Sequence, residues 1–141
     1  MTPVRIMNIS SRLSATERGW ALSPFPESEN VLGSGSDLHA VSILPGQVRG
    51  NHSHRGTDEW ISIHGGAARF AWEQPGFRQT DLGPDGAFLV FIPRGVFHAF
   101  QNIGETEIVL ISCFTRRPEN YRDETEWKEL LAPAGFDRKD A

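Results

Sequence analysis

Two imidazoles two residues apart are the first chemistry in this chain. His52 and His54 close the run Pro45-Gly46-Gln47-Val48-Arg49-Gly50-Asn51-His52-Ser53-His54, and Glu59 follows five residues later. If the segment is extended, both imidazoles point to one face, because side chains alternate along a strand. A third imidazole, His98, sits in Pro93-Arg94-Gly95-Val96-Phe97-His98-Ala99-Phe100-Gln101-Asn102. Imidazole nitrogen with carboxylate oxygen suits a single divalent transition metal such as zinc, iron, manganese, nickel or copper. Four protein ligands on a six-coordinate ion leave positions for substrate or water, which makes the set a working centre rather than a purely structural one. The donors do not choose among these metals, since affinity order and supply decide that together. A lone His-x-His would carry little weight. Four ligand-type residues in two separate segments carry much more.

These side chains converge only if their strands are neighbours. From Leu38 onward, short apolar or alternating runs are broken by Gly and Pro at close intervals, the pattern of successive strands and turns. The spacing predicts strands over 38–44, 59–64, 67–73, 77–82, 87–92, 96–102 and 106–114, enough for a sandwich or barrel. Pro75-Gly76, Pro84-Asp85-Gly86, Gly65-Gly66 and Gly104 supply the turn chemistry between them. Ahead of them, residues 4–9 read as an edge strand and residues 24–36, rich in Pro, Ser and Gly, as a loop. At the far end, Asp123-x-x-Glu126 resembles a capping box. Trp127, Leu130 and Leu131 would form one apolar helix face, stopped by Pro133 and Gly135. The expected organisation is one domain: edge strand and loop over 1–37, barrel core over 38–114, helix and tail over 115–141.

Composition agrees with a globular chain that keeps its chemistry in a pocket. The 141 residues are 38% apolar and 23% charged, with nine Phe and four Trp for the core. A formal charge of -4 repels a phosphate polymer, so nucleic acid is not an expected partner. Cys113 is the only cysteine, which excludes an internal disulfide and a thiolate zinc site. No stretch approaches the ~20 apolar residues of a membrane span, and the amino-terminal residues lack a long apolar run. The expected location is the cytoplasm.

The two ligand segments resemble the two motifs of the cupin superfamily, small antiparallel β-barrels of jelly-roll (double-stranded β-helix) type with a metal in the mouth. Gly46, His52, His54, Glu59 and Gly66 match the first motif. Pro93, Gly95, His98 and Asn102 match the second, with Gly86 one residue further from Pro93 than usual, a departure that touches only a turn. The resemblance implies an all-β barrel, a metal at His52, His54, Glu59 and His98, and a homodimer. For the dimer, Trp20, Trp60 and Trp72 are the possible outward aromatics.

Within that superfamily the chain is similar to the small cupins of polysaccharide and nucleotide-sugar biosynthesis, including the cupin half of bifunctional capsular sugar enzymes. Arg18-Gly19-Trp20, the Arg49-Gly50-Asn51-His52 context, Glu59-Trp60 and the run from Ile92 to His98 carry this likeness. It implies epimerisation or isomerisation of a keto sugar nucleotide by metal-assisted enolisation, with a carbohydrate or nucleotide sugar as partner. Arg49, Arg55 and Arg94 flank the ligands and could hold a diphosphate through forked hydrogen bonds. Each could equally be a solvated loop charge.

No base stands out. Alternation turns His64 away from the site with Trp60 and Ser62, while His39 shares a face with Val41 and Ile43 and could reach the pocket. For both, a structural role is the expectation. Phe91, Phe97 and Phe100 read as core or pocket wall. Related metal-free enzymes pair a His base with a Tyr acid on the barrel, but the single tyrosine, Tyr121, lies beyond the last expected strand. Two other readings use the same pocket: an iron(II) dioxygenase, and a sugar-binding cupin without catalysis.

Overall fold

The computed structural model describes residues 2–33, 35–115 and 124–135. Among these residues, twelve strands form two five-stranded antiparallel sheets and a separate hairpin. In chain order they are β1 (Arg5–Asn8), β2 (Leu13–Thr16), β3 (Gly19–Leu22), β4 (Asp37–Ile43), β5 (Val48–His54), β6 (Glu59–His64), β7 (Ala68–Glu73), β8 (Phe77–Leu82), β9 (Ala87–Ile92), β10 (His98–Asn102), β11 (Ile108–Phe114) and β12 (Thr125–Trp127). One sheet runs β1-β9-β6-β11-β4, the other β12-β5-β10-β7-β8, and β2 pairs with β3. The seven strands expected from the sequence are all present within two residues at each end.

Alternation explains the layers. From β6 and β9, Ile61, Ile63, Val90 and Ile92 point between the sheets, where they join Phe70, Phe100, Ile108 and Leu110 in the main core. The Phe70 and Phe100 rings stack at 4.7 Å, and burying each such side chain contributes about 1.5–3 kcal/mol. Trp60, Leu89, Phe91 and Cys113 point to the opposite face of the first sheet, where they pack with Ile9, Val31, Met7, Leu22 and Phe25 from the amino-terminal segment. Because β9 is covered on both faces, its sequence Ala-Phe-Leu-Val-Phe-Ile is continuously apolar rather than alternating.

Three expectations are corrected. Among the described residues there is no carboxy-terminal helix: residues 125–127 form β12 instead, laddered to the free edge of β5. The apolar spacing that suggested a helix serves two purposes. Trp127 faces the ligand strand, and Leu131 packs with Ala71 and Ala99 behind the second sheet. So short a helix is marginal in water, and an open sheet edge offers the same backbone better partners. Asp123, the supposed cap, and Tyr121 lie outside the described residues.

Trp60, at 3% exposure, and Trp72, stacked on Phe70 at 4.8 Å, are packed rather than outward; of the three, Trp20, 61% exposed, is outward. The hairpin β2–β3 was not expected, and it seats Trp20 edge-on to His64, with ring centroids 4.5 Å apart.

Candidate metal centre

β5 carries an irregularity that builds the site. His98 of β10 lies opposite His52, but Ala99 lies opposite Gly50, so Asn51 is an extra residue on β5. Gly50 takes φ +101°, and a Cβ there would sit 2.9 Å from the His98 carbonyl oxygen, so only glycine fits. Asn51 takes φ 57°, the left-handed region asparagine tolerates. The bulge reverses the alternation, so Arg49, opposite Phe100, shares the inward face with His52 and His54.

The bulge also frees the Asn51 side chain to hold the carboxy-terminal segment. Its Oδ1 accepts from Leu130 N (2.9 Å) and Leu131 N (3.2 Å), and its Nδ2 donates to Leu131 O (3.0 Å). Lys128 N donates to the Asn51 carbonyl at 2.8 Å. The strap so anchored places Trp127 opposite His52 and Thr125 opposite His54. Asn102, fully buried, is also a structural residue: it donates to Ile43 O and Thr106 O, both at 2.8 Å, and accepts from Gly104 N.

The structure brings the four expected ligands together. One donor atom from each of His52, His54, Glu59 and His98 lies within 4.8 Å of the others. Imidazole centroids are 4.5 Å apart for His52 and His54, and 4.9 Å for His52 and His98. Glu59 Oε1 lies 3.1 Å from His98 Nε2 and 3.9 Å from His54 Nε2. Outer contacts hold the donors in place. Ser112 Oγ donates to Glu59 Oε2 at 2.6 Å, leaving Oε1 to the cluster, and His54 Nδ1 lies 3.3 Å from Thr125 Oγ1. His98 Nδ1 donates to Val96 O at 3.0 Å, which turns Nε2 toward Glu59.

That arrangement fits a cation. His98 Nε2 and Glu59 Oε1 are buried and, despite their 3.1 Å approach, lack hydrogen-bond alignment. A ring nitrogen and a carboxylate oxygen this close need positive charge between them, a proton on the imidazole in the metal-free protein or a metal ion in its place. Burial by itself pushes the Glu59 carboxyl up, but His98 alongside, the Ser112 hydroxyl and His54 together hold it down at about 2. Glu59 is therefore ionised at neutral pH. The cluster could hold a metal, and its donor chemistry does not name which.

The quartet lines a pocket of about 370 Å³ with apolar walls from Val41, Ile61, Phe100 and Leu110. Of the three arginines, Arg49 lines it, its Nε donating to Ser42 O at 2.9 Å. Arg55 pairs with Glu126, and Arg94 pairs with Asp58 at 3.4 Å, both outside the pocket lining. His64 faces away, its Nδ1 3.2 Å from Gly86 O, whereas His39 does line the pocket. Phe100 is a wall and Phe91 belongs to the outer cluster. The sequence reading missed Ser112, Phe114 and Trp127. A hydroxyl on the inward face of the apolar strand Ile108–Phe114 was the available signal for Ser112, since buried polar groups need partners.

The fold is similar to that of RmlC-like cupins of known structure. No protein-family model and no curated protein matches the sequence. Among solved structures, the chain is similar to a dTDP sugar isomerase from Desulfovibrio desulfuricans G20 (19% identity, 98% of this chain and 95% of that one, TM-score 0.73). It is similar to RmlC from Streptococcus suis in complex with dTDP-D-xylose (21% identity, 83% of this chain and 66% of that one, TM-score 0.65). It also resembles the 3,4-ketoisomerase QdtA from Thermoanaerobacterium thermosaccharolyticum, in complex with TDP-4-keto-6-deoxyglucose (15% identity, 87% and 86%, TM-score 0.63).

Proposed function

We propose that this chain isomerises or epimerises a keto sugar nucleotide by moving a proton at the carbon beside a carbonyl. The observation that carries the reading is the buried quartet, with a carboxylate oxygen and an imidazole nitrogen held facing each other inside a substrate-sized pocket. A barrel shared over nearly the whole chain with a dTDP sugar isomerase supports the substrate class. A divalent metal held by His52, His54, Glu59 and His98 would polarise the carbonyl and stabilise the charge that develops as the neighbouring C–H bond breaks.

The chain's own groups do the positioning. Ser112 and the Val96 carbonyl fix the orientation of Glu59 and His98. Apolar walls exclude water from the reacting carbons. Arg49, brought to the site face by the bulge and tethered through Nε, is the candidate for the diphosphate. Arg55 and Arg94 would have to leave Glu126 and Asp58 to take that role.

The test is elemental analysis of protein purified without added metal, then reaction in deuterium oxide with TDP-4-keto-6-deoxyglucose and a panel of other keto sugar nucleotides. Near-stoichiometric metal and deuterium beside the carbonyl are expected. Saturable binding without exchange would replace the reading with a sugar-binding role. Oxygen consumption by iron-loaded protein would replace it with an oxygenase.

A further inference from the structure

We propose that His39 is the residue that takes up and returns the substrate proton, an inference that rests on the isomerase reading. Enolisation needs two groups: one to stabilise oxygen charge, and a base that accepts the proton from the adjacent carbon. The base therefore belongs beside the metal cluster but not within it. Among the described residues, the ionisable side chains lining the pocket are His39, Arg49, His52, His54, Glu59 and His98. Four of these form the donor cluster. Arg49 keeps its proton throughout the pH range of proteins and cannot act as a base. His39 remains.

Its placement suits the role. β4 and β11 pair so that His39 lies directly opposite Ser112, whose hydroxyl holds Glu59. The His39 ring packs against Phe114 with centroids 5.2 Å apart and planes 34° apart, and Phe114 in turn meets the His54 ring edge-on at 4.9 Å. One side chain thus separates His39 from two of the donors, on the same inward face of the barrel. A ketose whose carbonyl is turned to the cluster would carry its neighbouring carbon toward this wall. His39 is also half-buried rather than sealed, so its proton exchanges with solvent.

The step balances without a co-reactant. The C–H bond beside the carbonyl breaks, its electron pair becomes the C=C bond of the enolate, and the proton passes to an imidazole nitrogen of His39. His39 returns the proton on the face it came from: to the same carbon, which restores the ketone, or, once the proton of that carbon's hydroxyl has passed to the enolate oxygen, to the former carbonyl carbon, which moves the ketone one position along the ring.

The experiment compares metal-loaded wild type with His39→Gln and His39→Asn for deuterium incorporation into TDP-4-keto-6-deoxyglucose. The expected result is a fall in kcat of ~10²-fold or more, with KM, metal content and unfolding midpoint unchanged. Exchange within a few-fold of wild type in either variant would overturn the proposal, as would a change confined to KM, which marks a pocket wall. A readout independent of turnover is the ¹⁵N resonance of the His39 ring, which is expected to move when the sugar nucleotide binds wild-type protein; an unmoved resonance overturns the proposal without touching the isomerase reading. Wild-type protein that binds the sugar nucleotides yet exchanges no deuterium would overturn the isomerase reading, and His39's role with it.

Discussion

Ser112 touches no substrate in this scheme, yet replacing it tests the electrostatics of the whole centre. Its hydroxyl donates to Glu59 Oε2 at 2.6 Å, and both residues are buried, at 2% and 5% exposure. A buried hydrogen bond to a charged group contributes about 1.5–3 kcal/mol. At ~1.36 kcal/mol per pKa unit, Ser112→Ala should raise the Glu59 carboxyl by about one to two units from its wild-type position near 2. It should also let the carboxylate rotate, and loss of such an outer partner costs ~10–100-fold in metal affinity. Competition against a chelator gives the affinity, and urea unfolding of metal-free protein at pH 7 gives the stability. Ser112→Thr, which keeps a hydroxyl, should stay closer to wild type on both counts. If Ser112→Ala binds metal as tightly as wild type and unfolds at the same urea concentration, Glu59 is not oriented by this contact and the account of the site is wrong.

Metal-free wild type should lose stability in acid through the same carboxylate. Because folding lowers the Glu59 pKa from 4.5 to about 2, its contribution is present above pH 4.5 and is lost as pH falls toward 2. The loss is about 3 kcal/mol when fully expressed, and Glu59→Gln should flatten that part of a pH series of urea melts. Gly50→Ala combines a positive φ with a Cβ 2.9 Å from a backbone oxygen; it should destabilise the fold by about 1–3 kcal/mol and weaken metal binding with it, measured by thermal melting and chelator competition. Asn51→Gly keeps the left-handed backbone but removes three side-chain hydrogen bonds. It should speed hydrogen exchange at residues 128–131 at least tenfold, equivalent to about 1.4 kcal/mol, and unchanged exchange there would show that the strap is held by other contacts.

The quartet that could hold a metal and most strands were legible because both depend on local order. His-x-His on an extended segment faces one way whatever surrounds it, and alternating runs between Gly and Pro become strands by the period of the chain itself. What the sequence concealed depends on pairing. Asn51 is an ordinary strand residue until β10 skips it, and only then does Arg49 turn inward. The Arg49-Gly50-Asn51 context, taken as a nucleotide-sugar likeness, is thus also a requirement of backbone geometry and of the strap. Trp127 and Leu131 have helical spacing, but the open edge of β5 and the clamp of Asn51 compete for the same backbone and win. His39 reads as structural in the sequence because a strand histidine usually is, and its place in the pocket wall is set by pairing with β11, some seventy residues away.

The clamp of Asn51 also bears on the order in which the chain matures. Its partners Leu130 and Leu131 lie about eighty residues downstream, so during synthesis the ligand strand exists long before its outer edge is covered. Until the strap docks, β5 presents an unpaired backbone edge next to two imidazoles of the candidate metal cluster, a surface open to pairing with another strand. Closure of the strap therefore completes the pocket wall and retires that edge in one late event, and the nascent chain is most vulnerable to wrong pairing just before it.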